Sequence, residues 1–328
     1  MSGVPPMTAG ATVVVCAYTD ERWEDLTRAI ASLDAQTYAG GGPVQRVLVI
    51  DNNAELLEKA RERWSDVLVI PNAGPRGLSH ARNTGLACAV GDVVAFLDDD
   101  AAAAPGWLAA LTAPFADPDV IASGGVAHPV WPGEATAPAV LPPELHWVVG
   151  CSFVGQERGE SVRNVMGCNM AFRTAMLRRI GGFETSMGRV GRTPLGAEET
   201  DACIRLRRIV PGARIAFVPG AAVAHAVHPR RTGLRYVVAR SYGEGLSKAA
   251  LAGRLGAEES LGREREYATR VLPRAIVREL CTLRPRGAAA AGSIFASVGA
   301  AAFGYARGRV RASAAKPSPL RALPRVTT

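Results

Sequence analysis

The sequence predicts an α/β protein: a mostly parallel central sheet with flanking helices, followed by a helical C-terminal extension. Three observations predict it. Four short apolar runs without alternation, residues 11–18, 46–50, 67–70 and 93–97, read as strands buried on both faces. Segments of helical spacing separate them, which is the pattern of a doubly wound sheet. Three of the runs stop at polar groups: Tyr18-Thr19-Asp20, Asp51-Asn52 and Asp98-Asp99-Asp100. If those strands are neighbours, the polar groups line one sheet edge, where ligands bind in open α/β sheets.

The elements follow in order. Residues 1–10 read as a disordered leader, and 11–18 (ATVVVCAY) as the first buried strand. Thr19-Asp20 is cap chemistry for a helix over 22–36, in which Leu26, Ile30 and Leu33 share a face. After the Gly40-Gly41-Gly42-Pro43 loop come strand 46–50, helix 54–63 and strand 67–70. A glycine-punctuated loop, 74–77, then leads into helix 78–90, which carries Ser79, Arg82 and Asn83.

Strand 93–97 runs into three carboxylates, too costly to bury together, so they sit past the strand's end. Alternation points Asp98 and Asp100 one way and Asp99 the other. Two carboxylates on one side of a strand tip suit a hard divalent cation that also bridges to phosphate. A solvated acidic turn is the competing reading of the same triplet.

The second half is less regular. Residues 107–115 read as a helix and 120–126 as a strand, while the Pro- and Trp-rich stretch 129–147 reads as an irregular cover. Residues 164–173 (NVMGCNMAFR) read as a strand in which Gly167 permits close backbone approach. A short helix over 177–183 and a glycine-rich mobile loop over 188–196 follow. Glu198-Glu199-Thr200-Asp201 precedes helix 202–209, whose N-terminus favours these acids. Residues 214–218 and 221–224 are two short apolar segments, ending at His225 and, three residues on, His228. Helices over 235–251 and 264–283 are rich in arginine, and 312–328 reads as a disordered tail.

Residues 287–306 carry no charge for 20 residues between Arg286 and Arg307, long enough to span a bilayer. Nine alanines, four glycines and two serines make that transfer weak. Ala288, Gly292, Ala296, Ala300 and Gly304 form an i,i+4 stripe of small residues suited to close helix packing. A packing helix, peripheral membrane contact and a full span are all compatible with this segment.

Composition bounds the function. The chain has 328 residues, 48% hydrophobic and 21% charged, as expected of a globular protein. Its net charge of +8 is concentrated after residue 205. No aromatic RNA-binding motif, zinc-finger spacing or recognition-helix signature accompanies that charge, so no nucleic acid partner is expected. The six cysteines form no C-x-x-C pair and read as reduced thiols. The first ten residues lack the pattern of a signal peptide, so a cytoplasmic protein is expected, with 287–306 able to hold it at the membrane. The absence of G-x-G-x-x-G after the first strand argues against a dinucleotide-binding dehydrogenase.

The chain resembles the inverting nucleotide-sugar glycosyltransferases of family 2, which share the GT-A fold. The resemblance covers about 11–228 and rests on VVVCAYTDE, IDNN, GPRGLSHARNTGLA, FLDDDAAAAPGWL, GCNMAFRTAMLRRIGGFE and GAEETDACIRLRR in that order. The segment RSYGEGLSKA (240–249) is similar to bacterial, especially actinobacterial, members. The resemblance implies a GT-A domain over 11–230, with a nucleotide-sugar half (11–126) and an acceptor half (127–230), and a helical extension over 231–311. It implies metal-dependent transfer of a single sugar from a nucleotide-diphosphate sugar, UDP favoured, to the hydroxyl of an unidentified acceptor. Tyr18, Asp20, Asp51, Arg82, Asp98 and Asp99 would bind nucleotide. Asp98, Asp100 and His225 would hold Mg2+ or Mn2+, with His228 the rival histidine. Glu199 would be the general base, and Glu198 stands as the alternative because the family's Glu-Asp pair is Glu-Glu here. A sugar-phosphate nucleotidyltransferase and a non-catalytic nucleotide-binding scaffold are the competing functions. The resemblance leaves the oligomeric state open.

Overall fold

The computed structural model describes residues 10–134, 136–188 and 196–314. The expected leader (1–9), most of the glycine loop (189–195) and the tail from 315 lie outside the described residues. One eight-stranded mixed sheet organises the chain, in the order β3-β2-β1-β4-β7-β6-β8-β5.

Strands β1 (Ala11–Ala17), β2 (Val44–Ile50), β3 (Leu68–Pro71) and β4 (Val93–Asp98) are parallel neighbours, joined by α1 (Trp23–Ala31), α2 (Ala54–Arg63) and α3 (Leu78–Cys88). Their side chains divide between two cores. Val13 and Val15 face Leu26, Ile30, Leu48 and Leu108 on one side. Val14, Val49 and Phe96 face Phe172, Phe183 and Leu206 on the other. Phe96 meets Phe183 edge-on at 5.1 Å, a favoured aromatic geometry. Apolar residues on both faces explain why these runs do not alternate.

Beyond β4 the sheet changes direction. β7 (Asn169–Arg173) inserts antiparallel between β4 and β6 (Val120–Val130). The strand expected over 164–173 is therefore shorter, because its first residues turn: Gly167 O accepts from Arg82, and Asn169 Nδ2 is consumed by Val126 O and Ala221 O. The two apolar segments 214–218 and 221–224 are one long strand, β8 (Arg214–Ala226), parallel to β6. A register shift at Gly125/Val126 absorbs Pro219-Gly220-Ala221, which is how proline is tolerated inside a sheet. A Cβ on Gly125 would lie 1.8 Å from Ala221 O, so glycine is required where the strands approach.

A three-residue strand, β5 (Ala101–Ala103), follows the acidic triplet and pairs antiparallel with β8, setting Ala101 opposite His225. Then come α4 (Trp107–Thr112), α5 (Thr174–Arg179) and α6 (Glu198–Ile209). Residues 198–201 form the first turn of α6 rather than preceding it.

The extension comprises α7 (Leu234–Leu255), α8 (Ala257–Glu266), a π turn (Tyr267–Val271), α9 (Leu272–Cys281) and α10 (Pro285–Ala314). The single helix expected over 264–283 is thus interrupted at the π turn, just before Pro273. Helix α10 reaches Ala314, past the start of the expected disordered tail. It packs on α7 so closely that a Cβ on Gly245 would lie 2.1 Å from Ala301 O, and one on Gly304 2.2 Å from Tyr242 O. The buried stripe is Ala290, Ala291, Ile294, Ser297 and Gly304, whereas Ala288 and Gly292 are exposed. An i,i+4 row drifts about 40° per step around a helix of 3.6 residues per turn, so the expected stripe leaves the interface. Helix α10 has the length and apolarity to cross a membrane, and 39% of its most apolar window is covered by the rest of the protein.

Candidate active site

The carboxyl ends of β1, β2 and β4 are adjacent in register, with Ala17 opposite Ile50 and Cys16 opposite Asp98. A cleft of about 1040 Å3 opens there, lined by Arg82, Asp98, Asp100, Glu198, Glu199 and His225 among others. A second cavity, about 430 Å3 and lined by Asp34, Tyr38 and Arg46, lies by the start of β2, away from the strand tips.

Asp98 closes β4 while Asp99 and Asp100 form a turn into β5. The β5–β8 pairing, sealed by Ala226 N donating to Asp100 O at 2.7 Å, carries His225 to the turn. One donor atom each from Asp98, Asp100 and His225 lies within 4.8 Å of the others, and His225 Nε2 is 3.2 Å from Asp100 Oδ1. Two carboxylates and an imidazole suit Mn2+ or Mg2+. The residues fit such an ion: His225 is buried, and its Nδ1 has no hydrogen-bond partner in the protein. His228 stands outside the cluster, and its Nδ1 accepts from Arg230 N at 3.1 Å.

Asp99 is not part of that group, but because Asp99 and Asp100 lie in a turn rather than a strand, its carboxylate shares Arg22 with Asp100. It is buried and accepts from Arg22 Nη1 at 2.8 Å. Burial pushes its carboxyl up to about 7, with Asp100 and Asp98 adding to the rise and Arg22 opposing it. Arg22 also reaches Asp100 at 3.2 Å, and Arg231 meets the same carboxylate at 3.4 Å.

Arg82 is the hub. From inside α3 it donates to Glu198 Oε1 (2.6 Å), Asp98 Oδ1 (3.1 Å) and Gly167 O (2.8 Å). Burial alone would lower its pKa, but Glu198 and Asp98 hold it above the ordinary guanidinium range. Glu199, one residue on, keeps part of its surface open to the cleft. Its surroundings push its carboxyl up to about 8, through burial first and the neighbouring Glu198 second.

The remaining residues read from sequence lie around the nucleotide edge. Tyr18 is 39% exposed at the tip of β1, with the guanidinium groups of Arg22 and Arg76 5.5 Å and 6.0 Å from its ring. Asp51 is buried and accepts from Asn72 Nδ2 (2.7 Å) and Gly77 N (2.9 Å), fixing the loop before α3. Asp20 is exposed and turned toward Lys59 at 3.4 Å. None of these three lines the cleft itself.

Sequence reading missed the wall supplied by the extension. Arg240, Glu244 and Lys248 line the cleft from α7 as an i,i+4 ladder. Arg163 grips Glu264 with both terminal nitrogens at 2.7 Å, and Lys248 meets Glu264 at 2.7 Å. Burial works against the Glu264 carboxylate, yet Arg163 and Lys248 bring it down to about 2. Helix α7 also steadies the start of α6: Ser247 Oγ accepts from Gly196 N at 2.9 Å, next to Ala197 in the left-handed region (φ 71°). The i,i+4 spacing of Arg240, Glu244 and Lys248 was the available signal, but it reads equally as a solvated helix face.

The class is an α/β fold in which the tips of parallel strands carry acids that converge beside a buried Arg–Glu pair. The chain belongs to glycosyl transferase family 2, whose family model matches residues 12–181. It is 36% identical over 245 residues to the glucosyl-dolichyl phosphate glucuronosyltransferase of Haloferax volcanii, covering 73% of this chain and 76% of that one. It is 32% identical over 215 residues to the pre-mycofactocin glycosyltransferase of Mycobacterium tuberculosis, covering 63% of this chain but only 42% of that one. In fold it is similar to the mannosyltransferase PcManGT of Pyrobaculum calidifontis, solved with GDP-Man and Mn2+. The two superpose with a TM-score of 0.59 at 20% identity, over 91% of this chain and 87% of that one. The protein is therefore a glycosyltransferase of GT-A type, which sets aside the nucleotidyltransferase and non-catalytic readings.

Proposed function

We propose that the protein transfers a single sugar, with inversion, from a nucleotide-diphosphate sugar to an acceptor hydroxyl, and that Glu199 is the general base. The observation that carries this reading is the separation of two jobs within one cleft. Asp98, Asp100 and His225 gather donor atoms at one place, while Glu199 belongs to α6, part-exposed in the same cleft and accepting from Thr200 Oγ1 at 3.3 Å. When bound at the first three residues, Mg2+ or Mn2+ supplies Lewis-acid neutralisation of the leaving diphosphate. Arg22, Arg82 and Arg231 add fixed positive charge around it. Glu199 takes the proton of the acceptor hydroxyl as its oxygen bonds to the anomeric carbon. The bond from that carbon to the diphosphate oxygen breaks on the opposite face, and the nucleoside diphosphate leaves. Glu198, held by Arg82, positions the arginine and raises the basicity of Glu199.

Tyr18 would stack on the base, with Asp20 and Asp51 ordering the loops beside it and Asp99 bracing the metal turn through Arg22. Residues 11–126 would form the nucleotide-sugar half, 127–230 the acceptor half and 231–311 an extension that completes the acceptor cleft. UDP is the proposed carrier. The protein would work at the cytoplasmic face of a membrane through α10, whose exposed apolar side is bounded by Arg284 and Arg286 before it and Arg307 and Arg311 after it.

Thermal-shift titration with UDP, dTDP and GDP, each with and without Mn2+, tests the reading on wild type and Asp100→Ala. Stabilisation by one nucleotide that requires Mn2+ and is lost in Asp100→Ala is the expected result. No shift with any nucleotide would overturn it.

A further inference from the structure

Helix α6 begins without a side-chain cap. The residue before it, Ala197, is left-handed (φ 71°, ψ 17°) and gives no side-chain hydrogen bond to the first turn. An L residue keeps that conformation only where its surroundings over-determine it. Glu198 and Glu199 follow at once, so the backbone at 196–197 sets where the two acids point.

Those surroundings come from α7. Gly196 N donates to Ser247 Oγ at 2.9 Å, and the same hydroxyl donates to Gly243 O at 2.9 Å, one turn back in its own helix. Ser247 is 1% exposed, so the bond is shielded from water. Arg240 closes over the same glycine, where a Cβ would lie 3.4 Å from Nη2. Leu251 and Leu255 bury Ala197 and Ile204 in one small apolar cluster with Met187. Further along α6, Asp201 lies 3.5 Å from Arg254 Nε. One face of α7 thus grips the start of α6 by a hydrogen bond, an apolar cluster and an ion pair.

We propose that Ser247 is a positioning residue for Glu199: by holding Gly196 N it keeps Ala197 left-handed and fixes the first turn of α6 with Glu199 in the cleft. This deepens the transferase reading and rests on Glu199 as the base. Ser247 lies beyond residues 12–181, the part that the family model matches, so the extension takes part in catalysis through it. Without the Ser247 oxygen, a buried N–H has no acceptor and the left-handed residue loses its restraint, and both favour a turn rearranged toward water. A reacting group misplaced by about 1 Å loses on the order of a hundredfold in rate. The Glu199 carboxyl reports its own placement. Burial raises its pKa first, Glu198 on its own helix second, and Glu244 of α7 adds to the rise, while its own backbone N–H and Arg82 of α3 oppose it. A released turn would carry it toward solvent and back toward the ordinary 4.5.

The test is an NMR pH titration of the full chain, isotopically labelled at its glutamate carboxyl carbons, in wild type, Glu199→Gln, Ser247→Ala and Ser241→Ala. Hydrogen exchange at the Gly196 amide is measured alongside. In wild type one carboxyl should titrate at about pH 8, and Glu199→Gln should lack it. Ser247→Ala should lower that inflection by at least about one pH unit and speed Gly196 exchange at least about tenfold. Ser241→Ala removes another buried hydroxyl from α7, one paired with Ser297 of α10, and should leave both readings in place. An unchanged inflection in a folded Ser247→Ala, an equal fall in Ser241→Ala, or no wild-type inflection above about pH 6 would each overturn the proposal. A wild-type Gly196 amide that exchanges as freely as a surface loop would also overturn it, whether or not Ser247→Ala folds. A high inflection that survives in Glu199→Gln belongs to another glutamate. That outcome fails the base reading and leaves Gly196 protection to decide the contact with Ser247.

Discussion

Arg82 Nη1 sits 2.6 Å from Glu198 Oε1, and the other terminal nitrogen of the same guanidinium reaches Asp98 at 3.1 Å. Of the two adjacent acids at the start of α6, both of which line the cleft, Glu198 is held in an ion pair and Glu199 forms none among the described residues. The division assigns distinct phenotypes to Glu198 and Glu199.

Glu199→Gln should lower kcat by about a hundredfold to ten-thousandfold, the range lost with a general base. Its nucleotide-dependent thermal shift should stay close to that of wild type. Glu198→Ala should act through stability, since it leaves a buried arginine one carboxylate short, at a cost of about 3 kcal/mol. Steady-state kinetics and denaturation of both variants separate the two roles; a larger kcat loss in a folded Glu198→Gln would transfer the base to that residue.

The raised pKa of Glu199 sets the pH dependence of rate. A base that ionises only near pH 8 should give kcat/KM rising with pH up to about 8 and then levelling. Replacing Glu198 by Gln removes the largest neighbouring negative charge and frees Arg82, and both effects move the inflection to lower pH. A profile flat between about pH 6 and about pH 9 would contradict the assignment.

The same shift has a thermodynamic side. Folding raises the Glu199 pKa from its ordinary 4.5 to about 8, so between those values the folded chain binds more protons than the unfolded one. Stability from this group is therefore full below the lower value and lost as pH rises through the upper one. Glu199→Gln should show a smaller decline in Tm between about pH 4.5 and about pH 8 than wild type, measured by scanning calorimetry.

Removing divalent ions should uncouple nucleotide from the fold. With EDTA present, the nucleotide-dependent rise in Tm should vanish, and His225→Ala should require more Mn2+ to recover it than wild type. An unchanged shift in EDTA would argue that arginines alone hold the diphosphate.

The α7–α10 contact should not tolerate bulk. Gly245→Val would drive a side chain into the Ala301 carbonyl, and overpacking of this kind costs about 1–3 kcal/mol. Gly292→Ala, on the exposed side of α10, should be neutral or slightly stabilising. Chemical denaturation of the two variants makes the comparison.

What could be read from sequence followed from local rules. The parallel strands announced themselves because burial on both faces leaves uninterrupted Val, Ile and Leu, and the acids at their tips had nowhere else to go. Asp98 and Asp100 could be read as a pair from their place at a strand tip and His225 only through resemblance, but nothing local reveals that β5 pairs with β8, since three alanines carry no pattern. Likewise Arg163 and Glu264 meet only through tertiary packing between a loop and α8. The stripe on α10 was misplaced for a simpler reason: a four-residue repeat is not the helix period, so the row of small residues slowly leaves the face that α7 covers.

The register that sets Ala101 opposite His225 has a consequence for biosynthesis. Two members of the donor cluster emerge from the ribosome early, but the third arrives only with the end of β8, after β6 and β7 have been made. A nascent chain stalled before that point has made Asp98, Asp100 and their partners Arg82 and Arg22, but lacks the imidazole. The three-residue cluster is thus completed in one late event, when the end of β8 pairs with β5.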